Sequence, residues 1–376
     1  MKAALKALEP PLPPPLEAAE SSALALPGLP AGVDLLGRLE SITAGRGLTR
    51  LAGRLHELAE FVAGDQAAFE AAFGALPRDP RLVGRTARHL LDLGGKRLRP
   101  MCVQLAARLG SSSAEVVIDL GVAVELVHSA TLLHDDVVDL GESRRGAPTA
   151  RRVYGNAASI FAGDWLLIEA LRRVQRCRLP GLMEELLDTI EEMIFAESIQ
   201  LENRGSVRLS RDDYFRVVEG KTASVFRWAM SAGARAAGLD EPCRRALETY
   251  GLHLGVAFQA VDDLLDLTGD EARTGKALFT DLREGKMTYP VILGLERDPA
   301  LLPLVESIID AGDGAPSAAL CARLIRALRD ADAMRDCLAL ARQRAAHATR
   351  SLEALPPGRA RRALATVAEA IVDRDL

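Results

Sequence analysis

The chain has 376 residues, 48% of them apolar and 4% aromatic, with a formal charge of −5 and a pI near 5.8. That length and apolar share support a large buried core, and the acidic balance excludes a general nucleic-acid binder. Five cysteines stand singly (Cys102, Cys177, Cys243, Cys321, Cys337), which excludes CxxC zinc spacing and a paired disulfide framework and fits a reducing, cytoplasmic compartment.

Few aromatics amid abundant alanine and leucine predict helices rather than sheets. Residues 1 to 33 are rich in Pro and Ala, with Pro10, Pro11, Pro13, Pro14 and Pro15 in a polyproline-like run. They are expected to form a disordered extension ahead of one all-α domain, residues 34 to 376. This N-terminus lacks a signal-peptide core, and Glu9, Glu17 and Glu20 argue against a transit peptide. Asp119 and Glu125 interrupt the richest apolar stretch, so no transmembrane segment is expected.

Helical patterning starts near Asp34, breaks at Gly45 to Gly47, resumes from Leu51 to Phe73 and stops at Pro77 and Pro80. A helix from Arg81 to Leu93 ends at Gly94 and Gly95, residues suited to a left-handed C-cap. Next come Lys96, Arg97, Leu98, Arg99 and Pro100, the proline suiting the first turn of a helix from Met101 to Leu109. This is either a plain basic connection or an anion cradle, where cations meet the free N–H groups of a helix start.

From Ser112 to Leu140 the pattern is apolar nearly all round, as in a helix at the centre of a bundle. Its end runs into His128 to Gly146, HSATLLHDDVVDLGESRRG. Asp135 and Asp139 stand at i and i+4 and share a face, with Asp136 about 100° away. Two carboxylates on one face call for a cation between them. Oxygen-only donors suit Mg²⁺, which takes one or two protein carboxylates and completes its shell with water and substrate phosphate. Arg144 and Arg145 add planar forks for anionic oxygens. For a single DDxxD the plain alternative is a solvated acidic helix end followed by a basic turn.

A polar loop, Gly141 to Ala150, leads to helices from Asn156 to Val174 and from Leu182 to Leu201. Asp212 is placed to cap a helix reaching Gly238, kinked at Gly220 beside Lys221 and Thr222. The helix from Pro242 to Thr268 ends in Gln259, Asp262, Asp263 and Asp266, repeating the i, i+1, i+4 aspartate spacing. Within it, Gly251 and Gly255 allow close helix approach. Asp270 to Thr288, with Lys276, Asp281, Arg283 and Lys286 and with glycines at 275 and 285, reads as a mobile lid. Helical patterning resumes at Tyr289 and closes with Ala360 to Val372.

Two such motifs on separate buried helices describe two carboxylate walls able to hold several Mg²⁺ ions against a diphosphate. The cations Lys96, Arg99, Arg144, Arg145, Lys221 and Lys276 exceed what one diphosphate needs, so two anionic groups are expected side by side. An apolar helical interior below them suits a hydrocarbon tail.

Gly94 to Pro100 (GGKRLRP), His128 to Gly163, Gly220 to Ala223 (GKTA), Gln259 to Asp266 (QAVDDLLD) and Gly285 to Pro290 (GKMTYP) resemble the trans-isoprenyl diphosphate synthases, the polyprenyl synthetase family. The motifs follow that family's order, and the likeness covers roughly residues 50 to 376. It implies an all-α bundle of long helices around a central cavity, usually a homodimer, that condenses an allylic diphosphate with isopentenyl diphosphate head to tail. Carried onto these residues, Asp135, Asp139 and Asp262 would be the principal ligands of three Mg²⁺ ions, supported by Asp136, Asp263 and Asp266. Arg144, Lys221 and Lys276 would hold the allylic diphosphate, while Lys96, Arg99, His128 and Arg145 would hold isopentenyl diphosphate. Thr222 and Gln259 would line the path of the carbocation. His134 is either an orienting group behind the aspartates or a structural histidine.

The product's hydrocarbon is expected to run down the helix from Asp135, past Thr131 and Ala130 and then Val127 and Ala123. Ala130 lies about 7.5 Å along the axis from Asp135. Short-chain members of the family often carry a bulky residue at these first positions, whereas here both are small, which implies a product around hexaprenyl to decaprenyl. Phe161, Trp165 or Phe195 would be the candidates to close the channel lower down, and contact with a membrane surface would assist product release. The competing readings are a short-chain farnesyl or geranylgeranyl synthase, a non-catalytic subunit of a heteromeric synthase, a terpene cyclase and an Mg²⁺-dependent diphosphatase. The complete second DDLLD and the second cation cluster count against the last two.

Overall fold

A chain rich in alanine and leucine and poor in aromatics satisfies its backbone within helices, and stability then comes from burying one helix against the next. The computed structural model describes residues 35–269, 278–311 and 316–373. The Pro/Ala-rich extension and the first part of the proposed lid, residues 270 to 277 with Lys276, lie outside these described residues.

Eleven helices lead to the site: α1 (Leu35–Gly45), α2 (Thr49–Gly74), α3 (Leu82–Leu91), α4 (Leu98–Ala107), α5 (Ala114–Val138), α6 (Ala150–Tyr154), α7 (Asn156–Cys177), α8 (Leu182–Glu202), α9 (Arg211–Val218), α10 (Ser224–Ala236) and α11 (Glu241–Thr268). Beyond them come Thr280–Arg283, Tyr289–Arg297, Leu302–Ile309, Ala318–Asp330, Ala333–Ser351 and Arg359–Val372. Among the described residues the strands are limited to one two-residue hairpin, Ser143–Arg144 against Ala147–Pro148, inside what the sequence marks as a loop.

α5 is the axis of the bundle. It packs against α7, α4, α10 and α2, and Leu120, Val122, Ala123, Val124 and Leu126 along it are fully buried. By length and composition α5 could cross a membrane, contrary to the expectation from Asp119 and Glu125, but in this fold most of it is enclosed by its neighbours. The two charges that interrupt it are paired: Asp119 with Arg173, and Glu125 with Arg97.

α11 is the second long element, sandwiched between α10 and Ala333–Ser351. A Cβ on Gly251 would come within 2.6 Å of Phe226 O, and one on Gly255 within 2.4 Å of Ala223 Cα, so the close approach of α10 depends on both glycines. The helix start placed at Met101 lies three residues earlier, at Leu98, because Arg97 rather than a glycine makes the left-handed turn at its N-cap. The cap assigned to Asp212 belongs to Ser210, whose hydroxyl accepts the N–H of Asp213. The kink at Gly220 is a single π turn, Glu219–Ala223, between α9 and α10.

Candidate active site

The extra residue of the π turn re-aims the side chains that follow Gly220. Gly220 itself abuts α8, where a Cβ would meet Ala196 Cβ at 2.8 Å and Glu192 O at 2.9 Å. Lys221 is thereby turned toward the end of α5: its Nζ lies 3.5 Å from Asp135 Oδ2, donates to Gln200 Oε1 at 2.9 Å and pairs with Glu197. Burial works against its charge, but Asp135 and Glu197 outweigh that and raise its pKa.

Asp139, the C-cap of α5, is met from the other side. Lys286 Nζ lies 2.5 Å from its Oδ2 and 2.8 Å from Glu284 Oε2, and Arg204 Nη2 lies 3.8 Å from its Oδ1. Burial opposes the Lys286 ammonium, yet Glu284, Asp139 and Asp281 raise its pKa. Arg204 also donates to Val138 O at 2.8 Å and to Glu284 O at 2.9 Å, joining three segments.

The middle aspartate behaves differently. Asp136 is buried and receives Arg144 through Nε (2.9 Å) and Nη2 (2.8 Å) on Oδ1, while its Oδ2 is enclosed without a hydrogen-bond partner. Arg144 is therefore held behind Asp136.

On α11 the same division recurs. Asp262 is half-buried near the helix end. Asp263 points inward and accepts Tyr214 Oη (2.7 Å), Gln259 Nε2 (2.9 Å) and the backbone N–H of Tyr289 (3.1 Å). Burial, with Asp281 adding to it, pushes its pKa up to about 7 against the three donors. Gln259 is fixed at its other end, where its Oε1 accepts the Thr222 hydroxyl at 3.0 Å. Asp266 accepts the backbone N–H groups of Thr280 (3.0 Å) and Asp281 (3.4 Å), anchoring the return of the loop. Asp136 and Asp263 are thus both tied into the scaffold by these contacts, beside the aspartates they were expected to support.

The start of α4 carries a second cationic group, with Asp262 among the charges acting on Arg99. Arg99 stacks its guanidinium 4.8 Å from the ring centre of Phe226, and Lys96 Nζ lies 5.8 Å from that of Phe258. The two rings pack on each other at 5.6 Å, so one aromatic pair carries both cations. Arg99 Nε is buried without a hydrogen-bond partner. His128 is held well below its usual pKa by burial, and then by Arg99, Arg145, Arg144 and Arg97, so its ring is neutral at pH 7. Arg145 occupies a left-handed turn (φ 53°) in the hairpin, and burial lowers its pKa.

Below the aspartates, Ala130, Val127 and Ala123 are buried, and Thr131 is half-buried with its hydroxyl donating to His128 O at 2.8 Å. Phe161 and Phe195 are about three-fifths exposed, at 60% and 61%, so within this chain they face outward and do not close a channel. Trp165 is half-buried beside Leu126 and Leu166. His134 faces α7, its Nε2 lying 3.2 Å from both Ile160 O and Asp164 Oδ1, over Gly163, where a Cβ would come within 2.3 Å of it. That is a packing role.

Asp135, Asp139 and Asp262 offer hard oxygen donors. Among the described residues no three His, Cys, Asp or Glu side chains converge as one caged ion would need. A few carboxylates already countered by ammonium groups fit Mg²⁺, whose remaining positions are filled by water and substrate oxygens. Glu197, Gln200, Arg204 and Lys286 join the site without having been singled out as site residues. Lys286 stood in the GKMTYP stretch, whereas Arg204 had no local signal.

Residues 80–324 match the family model for polyprenyl synthetase. The octaprenyl diphosphate synthase of Escherichia coli K12 is 32% identical over 85% of this chain and 99% of its own length. Component 2 of the heptaprenyl diphosphate synthase of Geobacillus stearothermophilus is 34% identical over 86% and 99%. A crystal structure of a polyprenyl synthase from Caulobacter crescentus, complexed with calcium and isoprenyl diphosphate, superposes with a TM-score of 0.79 at 34% identity, covering 85% of this chain and 97% of that one. The chain belongs to the polyprenyl synthetase family. It has that family's all-α isoprenoid-synthase fold and is an enzyme, a prenyltransferase of the polyprenyl diphosphate synthase kind.

Proposed function

We propose that this chain condenses an allylic diphosphate with isopentenyl diphosphate, in the presence of Mg²⁺, to give an all-trans polyprenyl diphosphate of about hexaprenyl to decaprenyl length. The observation that carries the reading is two cationic groups set by carboxylate-bearing helix ends: Lys221 and Lys286 against Asp135 and Asp139 of α5, and Arg99 beside Lys96, with Asp262 of α11 among the charges acting on Arg99.

In this reading Asp135, Asp139 and Asp262 would hold three Mg²⁺ ions, whose charge would stabilise the departing diphosphate. Lys221, Lys286 and Lys276 grip that diphosphate as its allylic C–O bond breaks. The hydroxyl and amide dipoles of Thr222 and Gln259, locked in one orientation by Asp263, face the cation that forms. Arg99, Lys96, Arg145 and neutral His128 hold isopentenyl diphosphate so that its double bond attacks, a C–C bond forms and the released diphosphate takes the proton. The protein supplies no nucleophile.

Small side chains at Ala130 and Thr131, and relatives named for octaprenyl and heptaprenyl products, support the longer product. The catalytic unit would be the domain from residue 34 onward, acting as a homodimer. Exposed apolar residues support that assembly: Phe161 and Ile168 repeat at heptad spacing on α7, as do Leu187, Ile194 and Leu201 on α8. A relative named as one component of a synthase favours a second reading, in which another subunit is required.

Incubating the purified chain with Mg²⁺, isopentenyl diphosphate and farnesyl diphosphate, followed by product mass analysis, tests the proposal. Elongation to thirty carbons or more is the expected result. Products stopping at geranylgeranyl overturn the open channel, and no elongation until a second subunit is added favours the component reading.

A further inference from the structure

The anion cradle before α4 is built on a residue that points away from it. Arg97 holds a left-handed backbone (φ 50°, ψ 27°), a conformation an L-residue with a long side chain rarely adopts and one that persists where its surroundings enforce it. Its guanidinium turns back toward α2 and α5. There it donates to Glu125 Oε1 at 2.6 Å and Glu70 Oε1 at 3.0 Å and lies 4.3 Å from the ring centre of Phe73. The side chains of Arg97 and Glu125 are 10% and 4% exposed, so the pair is shut away from solvent.

A Cβ placed on Gly95 would stand 3.2 Å from Arg97 Nη1, 3.3 Å from Arg145 Nη2 and 3.4 Å from Glu125 Oε1. One buried carboxylate therefore sits where the Gly95 backbone, Arg97 and Arg145 meet. One residue before Arg97 and two after it, Lys96 and Arg99 lie instead over the Phe226–Phe258 pair.

We infer that Glu125 and Arg97 are positioning residues for the isopentenyl diphosphate cradle, fixing the left-handed turn so that Lys96, Arg99 and Arg145 converge on one diphosphate. Glu125 lies ten residues before Asp135 and does not reach the allylic side, so its effect falls on the second substrate alone. A buried ion pair contributes little net stability over a well-packed apolar pair, which leaves geometry as its main product. The inference rests on the proposed condensation.

Electrostatics and positioning predict opposite signs for Glu125→Gln. Deleting a negative charge beside a cationic pocket would by itself tighten diphosphate binding. Loss of the charge-assisted anchor would loosen it, by about tenfold or more for a bond of this kind. The test is calorimetric binding of isopentenyl diphosphate to the full chain in EDTA, with initial rates in Mg²⁺ varying each substrate in turn. Weaker binding and a raised KM for isopentenyl diphosphate in Glu125→Gln, with the allylic KM within about twofold, is the expected result.

Arg97→Lys keeps the charge and loses the fork, so it should behave alike and serves if Glu125→Gln melts early. Arg97→Gly, which adopts the turn without strain, should also bind weakly. Tighter binding in Glu125→Gln, wild-type binding in Arg97→Gly, or a parallel rise in both KM values would overturn the inference. A wild-type chain that neither binds isopentenyl diphosphate nor elongates would instead overturn the proposed function.

Discussion

Asp135 and Asp262 each stand next to an aspartate with a different task. Replacing Asp135 or Asp262 by Ala should lower turnover by about 10²-fold to 10³-fold, the scale of losing one electrostatic contact to a developing charge, with the helical circular dichroism unchanged. Asp263 is instead a hub for Tyr214, Gln259 and Tyr289, and burial raises its pKa from 3.8 to about 7. A carboxyl whose pKa is raised by folding favours the folded state below its unfolded pKa, and that contribution is lost as pH climbs toward the folded value. Asp263→Asn removes this dependence. Its melting temperature relative to wild type, measured in EDTA, should therefore rise between pH 5 and pH 8, and a constant difference would place the charge penalty elsewhere.

At the scale of helices, the sequence already contained the ends of α5 and α11, because aspartates at i and i+4 declare a shared face wherever the segment is helical. Gly251 and Gly255 likewise announced the close contact of α10 with α11. What could not be read locally were groups brought in by chain crossing. Arg204 and Lys286 reach Asp139 from 65 and 147 positions away (204 − 139 and 286 − 139). The inward turn of Arg97 was hidden for a different reason: a basic run does not say which of its side chains faces a buried glutamate on another helix. The same limit applies to Phe161 and Phe195, whose apolar character suggested a channel wall while the helix rotation points them outward. Ala130 is the reverse case, small and buried in the wall below Asp135. Ala130→Phe should shorten the product by several isoprene units with turnover retained, read by mass spectrometry under excess isopentenyl diphosphate.

For the whole molecule, the exposed stripe along α7 and α8 is the feature one chain leaves unsatisfied. Exposed Phe161 and Ile168, and Leu187, Ile194 and Leu201 with Phe195 beside them, are costly in water and suit a symmetric contact with a second copy. If the chain is the proposed homodimer, Phe161→Glu with Phe195→Glu should halve the mass seen by light scattering, and a dimer mass kept by the variant would rule out this face as the interface.

Lys221 and Lys286 resting on Asp135 and Asp139 give the enzyme internal counter-ions. Each lysine also meets a second carboxylate, Glu197 for Lys221 and Glu284 for Lys286, so the polypeptide itself offsets part of the charge at the end of α5. On the proposed function, an ion taking Asp135 or Asp139 would compete with the lysine there and release its ammonium to phosphate. Metal and diphosphate should accordingly promote one another's binding, each tightening the other by the same factor. Titrating Mg²⁺ with and without inorganic diphosphate measures that coupling, and independent affinities would show that the lysines stay where they are.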